Sequence, residues 1–71
     1  MKWVVCYNML WQPSTWGRVK HVDSNTVEVE YGKDAAMWFS DLWDKKFVKF
    51  FDSEEEARKV VEDYKKEYEQ G

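Results

Sequence analysis

The feature that most restricts this chain is a helix start near its carboxyl end. Ser53 is followed three positions later by Glu56. That is the spacing of a capping box, in which the serine hydroxyl accepts from the Glu56 amide and the carboxylate reaches back to the Ser53 amide. Glu54, Glu55 and Glu56 put negative charge on the first turn, where the helix dipole favours it. Ala57, Val60, Val61, Tyr64 and Tyr68 then recur on one face at a 3.6-residue period. The acid-first pairs Glu54–Arg58, Glu55–Lys59 and Glu62–Lys66 are spaced to bridge single turns. Asp52 and Ser53 therefore open an amphipathic helix that runs to the end of the chain. Its apolar stripe needs a sheet to cover.

The strands of that sheet follow from alternation. Residues 2–9 alternate, with Trp3, Val5, Tyr7 and Met9 on one face and Val4, Cys6 and Asn8, continued by Leu10, on the other. Both faces are largely apolar, as in a central strand. Pro13 and its polar neighbours make residues 12–15 a loop. Residues 16–22 and 26–31 form a hairpin about the turn Asp23-Ser24-Asn25, with Val27, Val29 and Tyr31 on one side of the second strand. Residues 45–51 read as the last strand. Residues 35–43 fit either a short helix capped by Asp34 or, preferred here, a fourth strand at 35–39 that pairs with 47–51. Ser40-Asp41-Leu42-Trp43-Asp44 then forms a turn. The predicted fold is a single α+β domain over residues 1–71. It has a small antiparallel sheet of three to four strands, in the order β-β-β-(β)-α, with one carboxyl-terminal helix on one face. The helix stripe is expected to meet Trp3 or Cys6, Val27, Val29, and Phe47 or Phe50.

A domain of 71 residues buries only about 60% of its unfolded surface and gains little stability margin from its core. Cys6 is the one cysteine, so no internal disulfide forms, and a lone thiol fits a reducing compartment. No apolar run approaches the roughly 20 residues of a membrane span. The amino end turns polar too quickly for a signal peptide. A cytoplasmic protein is the expectation. The net charge of −3 divides into +1 through Lys33 and −4 beyond it. A general nucleic-acid binder usually carries a basic excess, which this chain lacks.

The chain holds five Trp, four Tyr and four Phe. Large rings are efficient core residues because each buries roughly 150–250 Å². One helix face and one sheet face do not easily enclose them all. Trp11, Trp16, Trp38 and Trp43 stand beside turn residues or acids and are the candidate partner-binding residues, since exposed Trp and Tyr make binding hot spots. Grouped, they would form a patch suited to a protein partner or to a homodimer.

Enzyme chemistry finds little footing. His21, the one imidazole, sits between Lys20 and Val22 as a surface histidine. Cys6 lies mid-strand as a small buried hydrophobe. Asp41 and Asp44 would share a face for a divalent cation only if helical, and they lack an oxygen-rich glycine loop. No cofactor is implied. Nucleic-acid chemistry has one feature: Trp16, Arg18 and Lys20 alternate on one strand face, a ring for stacking and two cations for phosphates. Cross-strand pairing of Arg18 and Lys20 with Glu28 and Glu30 accounts for the same residues without a ligand. The segment Phe47-x-x-Phe50-x-Asp52-Ser53-x-Glu55-Glu56-Ala57 resembles the ending of the small amino-terminal hybrid-binding domain of some ribonucleases H. The resemblance covers the last third of the chain only; that family's Gly- and Trp-containing middle segment has no counterpart here. It implies binding to an RNA–DNA hybrid.

The resulting expectation is a non-enzymatic protein-binding module. A small, acidic, Trp-rich domain has the profile of an accessory or inhibitor protein of the kind carried by phages and mobile elements, acting through an exposed aromatic and acidic surface. The alternative is a single-strand or hybrid nucleic-acid binder that uses Trp16, Arg18 and Lys20.

Overall fold

The computed structural model describes residues 3–31 and 39–69. It contains an antiparallel sheet of β1 (Trp3–Tyr7), β2 (Pro13–Val22), β3 (Thr26–Tyr31), β4 (Phe39–Asp44) and β5 (Val48–Phe51), followed by helix α1 (Glu54–Glu69). The strand order is β4-β3-β2-β1-β5. The fold class is the expected α+β with a carboxyl-terminal helix. The described residues hold five strands rather than three or four.

The path from β4 to β5 shows the shape of the sheet. These strands lie at opposite edges, yet a single 3₁₀ turn, Lys45–Phe47, joins them. A flat sheet would hold its outer strands about 19 Å apart, at roughly 4.8 Å per gap. Three residues of 3₁₀ helix advance only about 6 Å. The sheet must therefore roll until its edges approach. Its inner face becomes a core that needs no helix: Val4, Cys6, Val27 and Val29 are fully buried there. Trp43 from one edge strand, and Val48 and Phe50 from the other, pack on the same cluster.

β2 is the strand that turns the corner. Its first half pairs with β1 and its second half with β3, with a register shift between Val19 and His21. Gly17 sits at the bend. A Cβ there would stand 2.6 Å from the Glu30 carbonyl oxygen and 2.7 Å from Val29 Cγ1. Only a residue without a side chain lets the two strands come this close.

The outer face holds the second core. Val5, Ala57 and Val61 are buried, with Trp3, Tyr7, Trp16, Phe51 and Val60 packed around them. The alternation expected of β1 holds, with Val5 outward to the helix and Val4 and Cys6 inward. The expected partners of the helix change. α1 meets Trp3 as expected, but Cys6, Val27, Val29 and Phe50 belong to the opposite face, and Phe51 takes the place of Phe50. Rolling creates a second apolar layer that a flat two-layer picture does not contain. Tyr68 is 66% exposed, so the apolar stripe ends before it; its ring lies 4.5 Å from that of Tyr64.

The helix cap is where the spacing puts it. Ser53 Oγ accepts from the Glu56 amide at 3.2 Å and donates to the Glu56 carboxylate at 3.3 Å. The carboxylate thus meets the serine hydroxyl rather than its amide. Arg58 pairs forward with Glu62 at 3.8 Å in place of the three acid-first bridges expected.

Three local expectations are corrected. Residues 13–15 belong to β2: Pro13 is its first residue, where the missing N–H does no harm. Ser40-Asp41-Leu42-Trp43-Asp44 is strand rather than turn and pairs with β3, not with β5; Thr26 faces Asp44 and Val29 faces Asp41. The expected strand at 35–39 lies outside the described residues apart from Phe39. Residues 45–47 are the 3₁₀ turn, which Asp44 caps by accepting from the Lys46 amide at 3.1 Å.

Candidate interaction surface

The three described rings of the expected Trp patch do not come together. Trp16 is half-buried beneath α1, its ring centroid 6.2 Å from that of Trp3. Trp43 is half-buried on the inner cluster, on the other side of the sheet. Trp38 lies outside the described residues. Trp11 alone of the three described is exposed, at 58%.

Of the expected nucleic-acid strip, Trp16 lies under α1 and the two cations meet acids. Arg18 Nε donates to Glu30 Oε1 at 2.7 Å, and Lys20 Nζ stands 3.9 Å from Glu28 and 4.0 Å from Glu30. β2 and β3 place these four side chains on the outer face beyond the helix, so opposite charges meet across the hairpin. His21 is exposed and bonds Asp23 at 3.0 Å.

Asp41 and Asp44 are three apart on a strand and so point to opposite faces. Asp44 caps the 3₁₀ turn, and Asp41 accepts from the Tyr31 hydroxyl. Burial, then the bond to Asp41, pushes the Tyr31 phenol up to about 12, and the nearby Trp43 N–H opposes that rise. Burial, helped by the Asp41 charge, pushes the Cys6 thiol up to about 12, so Cys6 stays protonated and unreactive at neutral pH. Among the described residues no three His, Cys, Asp or Glu side chains gather as a metal site. No helix among them is long and apolar enough to cross a membrane.

The surface that does stand out lies at the β1–β2 connection. Met9, Leu10 and Trp11 are three consecutive large apolar residues, exposed by 85%, 75% and 58%. They project from a loop that two amides hold shut. Asn8 Oδ1 accepts from the Leu10 amide at 2.9 Å and from the Gln12 amide at 3.0 Å. Asn8 Nδ2 donates to Gln12 Oε1 at 3.1 Å, and the Asn8 amide donates to the Gln12 carbonyl at 3.0 Å. The backbone of Trp11 takes φ 60°, a left-handed conformation rare for a bulky residue. Its ring is thereby set 4.8 Å from that of Phe47 in the 3₁₀ turn.

A shallow groove of about 270 Å³ runs beside this ring pair, lined by Tyr7, Trp11, Lys46, Val48 and Lys49. Lys46 Nζ lies 5.2 Å from the Phe47 ring centre and Lys49 Nζ 5.8 Å from that of Phe51. Among the described residues no carboxylate pairs with either lysine. Burial raises the Tyr7 phenol, which keeps it neutral as a hydrogen-bond donor at the groove wall.

Sequence reasoning treated Met9 and Leu10 as the end of a strand and did not join Trp11 to Phe47, Lys46 and Lys49. One signal was there: an apolar triplet set between Asn8 and Gln12, directly before Pro13. Two amides around three apolar residues read as a clamped loop once the strand is ended at Tyr7. Comparison of the chain with protein-family models, with curated proteins and with solved structures gives no match.

Proposed function

We propose that this chain is a non-enzymatic, cytoplasmic protein-binding module whose contact surface is the Asn8–Gln12 loop together with the 3₁₀ corner. The observation that carries the reading is the exposure of Met9, Leu10 and Trp11 on a loop clamped by Asn8. Apolar side chains on a loose loop could collapse onto the body of the protein. Here the amide clamp and the left-handed Trp11 backbone hold them out, and a surface ordered before binding loses less entropy on contact. Left-handed geometry at a bulky residue costs about 1–2 kcal/mol, and such outliers gather at functional sites. Met and Leu beside Trp also favour a protein partner, because flexible apolar side chains pack on apolar side chains and offer no plane for a base.

The test is capture from a nuclease-treated lysate by the immobilised protein and by a Met9→Ser/Leu10→Ser/Trp11→Ser variant. These side chains are outside both cores, so the variant is expected to keep its fold, which circular dichroism checks. A partner retained by the wild type and lost by the variant is the expected result. Retention that nuclease abolishes would favour the nucleic-acid reading instead, and retention indifferent to the three substitutions would remove the loop from the site.

A further inference from the structure

We infer that the groove beside Trp11 takes an acidic peptide segment of a partner protein, anchored by one large apolar side chain. This deepens the reading above and rests on it. Size is the first argument. The groove, at about 270 Å³, falls below the roughly 300–1,000 Å³ of small-molecule sites that enclose most of their ligand. It suits a side chain delivered by a larger molecule that covers the rest from outside.

Charge is the second argument. Lys46 and Lys49 flank an apolar floor of Tyr7, Trp11 and Val48. Each ammonium lies over an aromatic ring, and neither pairs with a carboxylate among the described residues. The chain as a whole is acidic, at −3, yet these cations meet no acid partner among the described residues. On the hairpin, by contrast, Arg18 and Lys20 are matched by Glu28 and Glu30. A ligand with carboxylates flanking an apolar residue would complete the groove as those glutamates complete the hairpin. Charged rims of this kind set orientation and discriminate against wrong partners more than they add affinity.

A nucleic acid would also bring anions to the lysines, but two features favour a peptide. The Trp11 ring already contacts Phe47, tilted by 43° with centroids 4.8 Å apart, and Met9 and Leu10 extend the apolar surface with side chains that cannot stack. The acidic helix of a second copy is a further conceivable occupant, and sedimentation separates it from a partner protein.

The experiment is selection from a random dodecapeptide phage library, followed by titration of one enriched synthetic peptide against the full chain using Trp fluorescence. Enriched peptides are expected to carry net negative charge around a Leu, Ile, Phe or Trp. Lys46→Glu/Lys49→Glu is expected to weaken the peptide about tenfold, since each exposed pair contributes modestly. A peptide with its acids changed to Lys should recover binding to that variant. Peptides that depend on Trp11 but show no acidic bias would overturn this inference and leave the protein-binding reading intact. Absence of any enriched peptide would also overturn it. A single-stranded oligonucleotide that displaces the peptide at equal concentration and physiological salt would overturn both. A dimer in sedimentation, dissolved by Lys46→Glu/Lys49→Glu, would overturn it in favour of a second copy.

Discussion

Two aromatic and basic regions of this molecule have nearly the same composition and opposite structural fates. On the hairpin, Trp16 stands with Arg18 and Lys20; at the corner, Trp11 and Phe47 stand with Lys46 and Lys49. Trp16 is drawn under α1 and joins the outer core, and its two cations are answered across the strand by Glu28 and Glu30. Trp11 is held out by its loop, and its lysines lie over rings and meet no acid among the described residues. The difference does not lie in the residues themselves. It lies in what the neighbouring strand offers. β3 presents two glutamates facing β2, whereas β5 is an edge strand among the described residues. Binding capacity remains where the fold has left groups unanswered.

The largest expected effect follows from the first half of that contrast. Trp16→Ala removes a ring packed against Val5, Ala57 and Val61, and should cost about 3 kcal/mol, the lower end for a large aromatic because Trp16 is only half-buried. In a domain of this size that lowers the Tm by more than about 10 °C. If thermal unfolding showed Trp16→Ala and Trp11→Ala to be equally harmful, the division into a structural and a free aromatic would be wrong.

Gly17→Ala comes next and tests the bend that aligns the hairpin charges. The added methyl meets the Glu30 carbonyl, a backbone atom that moves only if β3 moves. Overpacking of this kind costs about 2 kcal/mol. The urea midpoint should fall with little change in slope, since the surface exposed on unfolding is nearly the same. An unchanged midpoint would mean that the sheet is less tightly rolled than the 3₁₀ connection requires.

How much of this was legible in the sequence depended on the range of the interaction responsible. The cap at Ser53, the hairpin turn at Asp23 and the alternation of β1 are local, and each was readable from a few adjacent residues. The pairing of Arg18 and Lys20 with Glu28 and Glu30 spans one turn and was readable too. The roll of the sheet was not, because it depends on Gly17 meeting Val29 and on β4 reaching β5 through three residues. Once the sheet rolls, Trp43 gains an interior position that no window around it could reveal. The corner surface joins residues 7–11 to residues 46–49, two stretches far apart in sequence, so composition could announce surplus rings without saying where they gather. Trp11 stands beside turn residues and is exposed. Trp16 stands beside such residues too, and the helix packed on β2 covers it.

A smaller effect asks whether the hairpin can be made to resemble the corner. Glu28→Gln/Glu30→Gln removes the acids facing Arg18 and Lys20 while keeping their shape. Stability should change by no more than about 1 kcal/mol, because these are exposed pairs in which Arg18 and Lys20 are 45% and 50% accessible. The informative readout is affinity for a single-stranded oligonucleotide. The wild type should bind weakly at physiological salt. The variant should bind more tightly at low salt, and its affinity should fall more steeply as salt is added. Equal binding by the two proteins would show that the glutamates do not mask this strip.

The smallest expected effect is the one that isolates the corner. Trp11→Gly has two opposed consequences for the fold. The left-handed backbone at φ 60° is strained for tryptophan and free for glycine, a gain of about 1–2 kcal/mol. Against that, the ring contact with Phe47 is lost, a loss of about 1 kcal/mol for an aromatic pair at the surface, and the more flexible unfolded chain takes away up to about 1 kcal/mol more. The sum is close to zero, so the Tm should stay within a few degrees of the wild type. Acrylamide quenching of the same protein should show a marked fall in the readily quenched fluorescence, because the most exposed Trp of the described residues is gone. A clear loss of stability would make Trp11 a structural ring and remove the contrast with Trp16. A near-zero change leaves a tryptophan whose contact with Phe47 is offset by its own backbone strain, beside two lysines that meet no acid partner among the described residues; net stability then gives no reason for the ring, which is what a contact surface for a partner predicts.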